Sequence, residues 1–446
     1  MLNKSFSVNV INKIGKFNKS IEIDSDKSLS LRGFLIGSIS QNISEIKNVL
    51  ESEDTYSAID CLKKLGVKIK KIKPKHYLVY GKGLGSLYTK KNAVLNFGNS
   101  GTLARLLIGI LATTPNIQIK VSGDKSLNKR NMKKLINLMS EFGAKFEKNK
   151  FTFPLKMTSS AMPVAIQYNS GVSAQLKSAV ILAALNSYGI TTIFENKLSR
   201  NHTENILSQN IDFFKIKKNI IKVSGKGYLN PLKMTVPGDP SSAAFFCAIT
   251  IFTKNSFLKI RNVGLNPRRI GFYKLLKKHG AKIHFKNIKK KNNELIGDVF
   301  VKSSKLRPIK ASAEYYPSTT DEYVILSVCA ALTPGISIFK GISDLANKES
   351  SRAHEIKKIL NQIGIKCILS DSEMKIFGVK EIKKLKKTIK VKDLGDHRIC
   401  MATFCLSLVT GIKSSIKGFE TVNTSSPSFL KIIKQLGGKF EIKKTA

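Results

Sequence analysis

Apolar positions along the chain fall into two recurring patterns. In the first, a cluster of small, polar or charged residues leads into an apolar run of helical length. Asn96-Phe97-Gly98-Asn99-Ser100-Gly101-Thr102-Leu103-Ala104-Arg105 ends the extended run Ala93-Val94-Leu95 and opens Leu106-Leu107-Ile108-Gly109-Ile110-Leu111-Ala112. Five other segments share this design: Asp26-Lys27-Ser28-Leu29-Ser30-Leu31-Arg32, Ser173-Ala174-Gln175-Leu176-Lys177, Asp239-Pro240-Ser241-Ser242-Ala243, Thr320-Asp321-Glu322 and Gly395-Asp396-His397-Arg398. Free N–H groups at a helix start attract anions, and glycine lets the backbone approach a ligand closely.

In the second pattern a helix stops at glycine and a strand follows, as in Leu62-Lys63-Lys64-Leu65-Gly66-Val67-Lys68-Ile69. The phrase returns around Gly143, Gly280, Gly364 and Gly437, with a degenerate copy, Asn210-Ile211-Asp212-Phe213, that has Asp212 in the glycine slot. The spacings from Gly66 onward are 77, 69, 68, 84 and 73 residues. Glycine after a helix is the usual left-handed stop, and a period of this length signals repeated supersecondary units. Six units are predicted, each with two helices and several strands.

In chain order, residues 1–23 read as two short strands with a turn at Asn12-Lys13-Ile14-Gly15. Asp26 opens the first helix through Ile39, Ser52-Glu53-Asp54-Thr55 caps the next, and 68–95 is strand-rich. Residues 96–112 form another helix, Val121 to Arg130 a loop, and further helices start at Ser173 and near Ser199-Arg200-Asn201-His202. Val236-Pro237-Gly238-Asp239-Pro240 reads as a linker, after which the pattern restarts for three more units. The class is α/β, in two domains with three-fold internal repetition each.

Composition narrows the function classes. A chain of 446 residues accommodates two or three domains, and no run reaches the ~18 apolar residues of a membrane span. The start lacks the apolar core of a signal peptide, and six scattered cysteines show neither metal spacing nor a disulfide framework, so a cytoplasmic protein with reduced thiols is expected. The net charge of +46 would attract nucleic acid or small anions. Of 76 basic residues 66 are lysine, spread over every segment, with no zinc finger, RNP-type motif or aromatic stripe, which argues against nucleic acid. The ten arginines are more informative, because six of them (Arg32, Arg105, Arg130, Arg200, Arg352, Arg398) sit in or near the polar clusters. Guanidinium forks bind phosphate and carboxylate bidentately, so converging arginines point to a polyanionic ligand.

Several residues also have a purely structural reading. Asp321-Glu322 before a helix is an ordinary N-cap with dipole support, Lys348-Glu349 an ordinary surface pair, and His202 and His397 packed or capping histidines.

Taken in order, the motifs Asp26 to Arg32, Asn99-Ser100-Gly101-Thr102 with Arg105, Gly123-Asp124 to Arg130, Ser173-Ala174-Gln175, Ser199-Arg200-Asn201-His202-Thr203-Glu204, Val236 to Ala243, Asp321-Glu322, Lys348-Glu349-Ser350 with Arg352, and Asp396-His397-Arg398 resemble the EPSP synthase family over nearly the whole chain. The Ser100 and Ser173-Ala174-Gln175 spellings are closer to its second bacterial class. The resemblance implies an inside-out α/β fold of six βαβαββ-type repeats, three per domain around pseudo-three-fold axes. The implied domains are 24–240, and 1–23 plus 241–446, with a hinge near 23 and 240 and the active site in the cleft. It also implies transfer of the enolpyruvyl group of phosphoenolpyruvate to the 5-hydroxyl of shikimate 3-phosphate by addition and elimination. No metal or cofactor would be needed, the chain would be a monomer, and glyphosate is a possible inhibitor.

The resemblance also implies roles. Asp321 would take the hydroxyl proton, Glu349 would protonate the methylene carbon, and Lys27 would bridge both substrates. Lys27, Ser28, Arg32, Ser173, Ala174, Gln175, Arg200, Asp321 and Lys348 would hold shikimate 3-phosphate. Lys27, Asn99, Gly101, Arg130, Gln175, Arg352 and Arg398 would hold phosphoenolpyruvate. The chain departs from the family pattern at Asp24-Ser25, Asn131, Ala346, Ser351 and Ser426-Pro427, none of which removes a catalytic charge. Two rival readings are the sister transferase acting on UDP-N-acetylglucosamine, which uses a loop cysteine absent between Val121 and Arg130, and a basic non-catalytic binding protein.

Overall fold

The structure is a computed structural model and describes residues 5–208, 213–379 and 388–444. The degenerate repeat phrase at Asn210-Ile211-Asp212 lies outside the described residues.

Two compact units are formed. One, the middle unit, comprises Ser25–Pro237 together with Lys291–Glu294; the other, the terminal unit, comprises the chain up to Asp24 and the rest from Gly238. The chain therefore passes between units near residues 24 and 237, and the turn at 291–294 belongs to the middle unit.

Among the described residues each unit carries three four-stranded sheets, and all six share one spatial strand order. The repeat is clearest at residues 93–158. Strand Ala93–Asn96 leads through helix Gly101–Ala112 to strand Gln118–Ser122, paired in parallel with the first. Parallel neighbours need such a crossover, and the helix supplies it. Helix Lys133–Glu141 then leads to the antiparallel strands Lys145–Phe146 and Leu155–Thr158. Leading strands are exchanged between the two halves of the sequence: Lys233–Thr235 pairs in parallel with Ile43–Lys47, and Asn18–Ile21 with Phe257–Gly264. Strand Phe6–Val10 completes the sheet that contains Ser414–Ile416 and Phe440–Lys444.

The five full copies of the glycine phrase all end in the left-handed conformation, with φ of 81° at Gly66, 93° at Gly143, 106° at Gly280, 72° at Gly364 and 91° at Gly437. The crossover helices are apolar nearly all round, and such helices belong in an interior. Lys27–Ile39, Gly101–Ala112 and Ala174–Ala184 are largely buried in the middle unit; Pro240–Phe252, Tyr323–Ala331 and His397–Thr410 are likewise buried in the terminal unit. The helices are inside and the sheets outside. Gly109 permits a close helix contact, since a Cβ there would lie 2.6 Å from the Ala179 carbonyl oxygen.

Five of the six polar clusters end in a side-chain N-cap, from Asp26, Ser100, Ser173, Asp239 and Asp396. The sixth differs, because helix Tyr323–Ala331 has no side-chain cap. Three sequence expectations shift. The helix expected over 96–112 begins at Gly101, because Ser100 caps it after a turn. Ser52 precedes helix Glu53–Lys64 but makes no capping bond to its backbone. Val236 to Pro240, expected as a linker, is buried, with Asp239 capping and Pro240 opening helix Pro240–Phe252.

Candidate active site

The middle unit gathers its candidate residues at three helix starts. Lys27 is the first residue of helix Lys27–Ile39, and its Nζ lies 3.1 Å from Asp54 Oδ2. Asp54 is buried in the first turn of the neighbouring helix, so its carboxylate fixes the ammonium while Lys27 keeps 19% exposure. Arg32, one turn on, is buried. Its Nη1 donates to the Ser28 carbonyl (3.0 Å), its Nε to Thr203 Oγ1 (2.8 Å) and its Nη2 to Ser178 Oγ (3.1 Å). These bonds turn Arg32 inward, toward the helices it braces.

At the second start, Gly101 is walled by two guanidinium groups. A Cβ there would meet Arg105 Nη1 at 2.7 Å and Arg130 Nη1 at 2.8 Å. Arg105 Nη1 donates to the Gly101 carbonyl (2.9 Å), and Arg130 Nη2 donates to Asn99 Oδ1 (2.6 Å). Asn99 Nδ2 in turn donates to Asp124 Oδ2 (2.7 Å), so a chain of three side chains fixes Arg130. At the third start, Ser173 caps helix Ala174–Ala184, and Gln175 Nε2 donates to Thr102 Oγ1 (2.9 Å), tying the second start to the third. Arg200 is half-buried, two residues before helix His202–Leu207.

The terminal unit gathers the carboxylates. Arg352, 1% exposed, donates from Nε to Asp396 Oδ2 (2.9 Å) and from Nη2 to Glu349 Oε2. Its Nη1 lies 3.7 Å from Asp321 Oδ1 and has no hydrogen-bond partner. Burial disfavours its charged form, yet Asp396, Glu349 and Asp321 outweigh burial and hold the guanidinium well above its ordinary value. Arg398 Nη2 lies 3.7 Å from the other Asp321 oxygen. Asp396 organises the cluster, accepting also from Ser350 Oγ (2.9 Å) and the Arg398 amide (3.0 Å). Lys348 Nζ instead reaches Asp344 Oδ2 (2.6 Å), which also accepts from Tyr316 Oη (3.1 Å). Burial, then Asp344, pushes the Tyr316 hydroxyl far above its ordinary value, so Tyr316 stays a donor.

The structural alternatives separate here. Asp321 caps no helix, and its carboxylate faces two arginines at 3.7 Å. His202 has a structural partner, with Nδ1 2.7 Å from Glu294 Oε1. Sequence reasoning missed Asp54, Asp124 and the central part of Asp396. Each acts through a partner distant in sequence or through backbone amides, which hydrophobic periodicity does not encode.

Comparison with known proteins gives the family. The family described as EPSP synthase (3-phosphoshikimate 1-carboxyvinyltransferase) matches residues 11–433. The chain belongs to the EPSP synthase family. Among its relatives, the 3-phosphoshikimate 1-carboxyvinyltransferase of Petrotoga mobilis is 36% identical over 423 residues, covering 94% of this chain and 97% of that protein. The Bacillus subtilis protein of the same name is 34% identical, over 96% of this chain and 99% of the other. The solved EPSP synthase of Acinetobacter baumannii superposes with a TM-score of 0.85 at 30% identity, over 98% of this chain and 100% of that one. The enolpyruvyl transferase NikO from Streptomyces tendae shares the fold, with a TM-score of 0.75 at 13% identity over 99% of this chain and 100% of that one. No helix among the described residues is long and apolar enough to cross a membrane.

Proposed function

We propose that the protein transfers the enolpyruvyl group of phosphoenolpyruvate to the 5-hydroxyl of shikimate 3-phosphate, giving 5-enolpyruvylshikimate 3-phosphate and inorganic phosphate. The observation that carries this reading is the terminal-unit cluster, in which two partly exposed carboxylates, Asp321 and Glu349, flank a buried arginine with an unused donor. Transfer needs one group to take the hydroxyl proton and another to lend a proton to the methylene carbon and take it back. Asp321 is the first: as the hydroxyl oxygen bonds to C2, its proton passes to Asp321. Glu349 is the second: it protonates C3, then removes a C3 proton as the C2–O bond to phosphate breaks. An anion arriving at Arg352 adds negative charge beside Glu349 and favours the protonated form that the first step needs.

Arg352 and Arg398, with Arg130, Asn99 and the backbone at Gly101, bind phosphoenolpyruvate. Ser28, Ser173, Ala174, Gln175, Arg200 and Lys348 bind shikimate 3-phosphate, and Lys27, steered by Asp54, serves both. Arg32 donates to the acceptor as well as to Ser28, Ser178 and Thr203, since a guanidinium carries five N–H donors. Lys348 would release Asp344 as acceptor binds. Glyphosate would compete at the phosphoenolpyruvate site, the chain would act as a monomer, and the passages near residues 24 and 237 would flex as the hinge.

The test is phosphate release from phosphoenolpyruvate with each acceptor. Release with shikimate 3-phosphate and none with UDP-N-acetylglucosamine is expected. The reverse result would assign the chain to the sister reaction, and release with neither would leave it a binding protein.

A further inference from the structure

Among the buried ionic groups that the mechanism leaves unused is a three-residue cluster in the middle unit. Lys177 Nζ lies 2.5 Å from Glu195 Oε1 and 2.5 Å from Glu204 Oε1, and the three side chains are 0, 2 and 1% exposed. Glu195 is the last residue of strand Ile190–Glu195, and Glu204 belongs to helix His202–Leu207. The loop between them, 196–201, carries Arg200. One ammonium group therefore holds both ends of the loop that presents Arg200. The lysine is itself anchored beside another acceptor-binding element, since its amide donates to the Ser173 carbonyl (3.2 Å) in the first turn of helix Ala174–Ala184.

A parallel contact runs alongside. Thr203, next to Glu204, donates from Oγ1 to Ser178 Oγ, next to Lys177, at 2.8 Å, and Thr203 Oγ1 also accepts from Arg32 Nε at 2.8 Å. Two adjacent pairs thus fix helix His202–Leu207 against helix Ala174–Ala184. A buried ion pair is no efficient way to stabilise a fold, because apolar residues of equal volume do as well or better. What it supplies is a fixed geometry.

We propose that Lys177 is a positioning residue that, through Glu195 and Glu204, clamps the Arg200 loop in the geometry that receives the phosphate of the acceptor. This rests on the activity proposed above. The clamp acts on acceptor binding and leaves phosphoenolpyruvate binding alone.

The test compares the wild-type chain with Lys177→Met and with Lys177→Met/Glu204→Gln. The second variant removes one cation and one anion together, so it keeps the cluster's formal charge and remains foldable if the first does not. Steady-state rates are measured with each substrate varied in turn. In both variants the KM for shikimate 3-phosphate should rise about tenfold or more, as for loss of one charge-assisted hydrogen bond, while that for phosphoenolpyruvate stays within about twofold. In an Arg200→Ala background, Lys177→Met should add less than about twofold, because both changes remove the same contact. A lowered Tm with both KM values unchanged, an equal rise in both, or additive effects with Arg200→Ala would each overturn the clamp. Calorimetric binding of shikimate 3-phosphate reads the same effect without turnover. A wild-type chain that binds it without turning it over refutes the activity and not the clamp; variants that bind as well as wild type refute the clamp; no binding by the wild type refutes both.

Discussion

On the proposed function, Gly101→Ala should separate phosphoenolpyruvate from glyphosate, two anions that would compete for one place. Gly101 is the first residue of helix Gly101–Ala112 and does not have a positive φ, so alanine fits the backbone there. Glycine-to-alanine exchange in a helix gains up to ~1 kcal/mol, although less at its first residue. The new methyl group would meet Arg105 Nη1 at 2.7 Å and Arg130 Nη1 at 2.8 Å. Ordinary contact is ~3.5 Å or more, so each guanidinium must withdraw by roughly 0.7 Å, which their flexible stems allow. Stability should therefore change little. Binding should change more, since Arg130 is fixed by its 2.6 Å bond to Asn99 and its shift would move the fork proposed to bind the ligand. An intrusion of this size into a packed site costs ~1–3 kcal/mol, or roughly 5- to 150-fold in affinity. Glyphosate, the longer molecule, has less slack along its axis and should lie toward the upper end; phosphoenolpyruvate should lose less. The assay measures the glyphosate inhibition constant and the phosphoenolpyruvate KM in both forms, with thermal unfolding as control. An equal rise in both constants would show that Gly101 does not discriminate. No rise in either would remove Gly101 and Arg130 from the anion wall.

Asp321→Asn should bind both substrates yet lose ~10²–10⁴-fold in kcat, because Asn keeps the shape but accepts no proton; near-normal turnover would remove Asp321 from the role. Asp54→Asn should lower kcat/KM for both substrates about tenfold by loosening Lys27, with the circular dichroism spectrum unchanged; an unaltered kcat/KM would show that the 3.1 Å ion pair does not steer Lys27. Gly143→Ala, away from the candidate site and at φ 93°, should cost ~1–2 kcal/mol of stability without altering KM; a shifted KM would contradict its reading as a helix stop. Burial pushes the Cys61 thiol up to about 12 and Cys367 up to about 11, so at pH 8 both stay protonated and should resist a thiol-reactive disulfide reagent until the chain is denatured; rapid labelling of the folded protein would contradict their burial.

The repeat architecture was legible in the sequence because it rests on local chemistry. A glycine at a left-handed helix stop and a Ser or Asp at a helix start leave short-range signatures, and the structure places Gly66, Gly143, Gly280, Gly364 and Gly437, with Asp26, Ser100, Ser173, Asp239 and Asp396, in those roles. What was not legible depends on partners far apart in sequence. Nothing around Asp54 separates a helix-start carboxylate from one that holds Lys27. Lys177 reads as one polar residue at the edge of an apolar run, and only the fold brings Glu195 and Glu204 to it. The segment Val236 to Pro240 does carry the passage between the units, but its burial was not legible, because Pro and Gly mark both an exposed passage and a tight helix entrance. At Asp321 the local signature pointed the other way, toward a cap, and the arginines facing it come from Arg352 and Arg398, far along the chain.

The central claim is that Asp321 and Glu349 drive addition and elimination through a transiently protonated methylene carbon. The most direct measurement is proton NMR of the reaction run in deuterium oxide with phosphoenolpyruvate and shikimate 3-phosphate. The account predicts 5-enolpyruvylshikimate 3-phosphate carrying solvent deuterium in its vinyl group, and neither product nor exchange with Glu349→Gln. Product formed without deuterium in its vinyl group or in the recovered phosphoenolpyruvate, or undiminished exchange in Glu349→Gln, would contradict it.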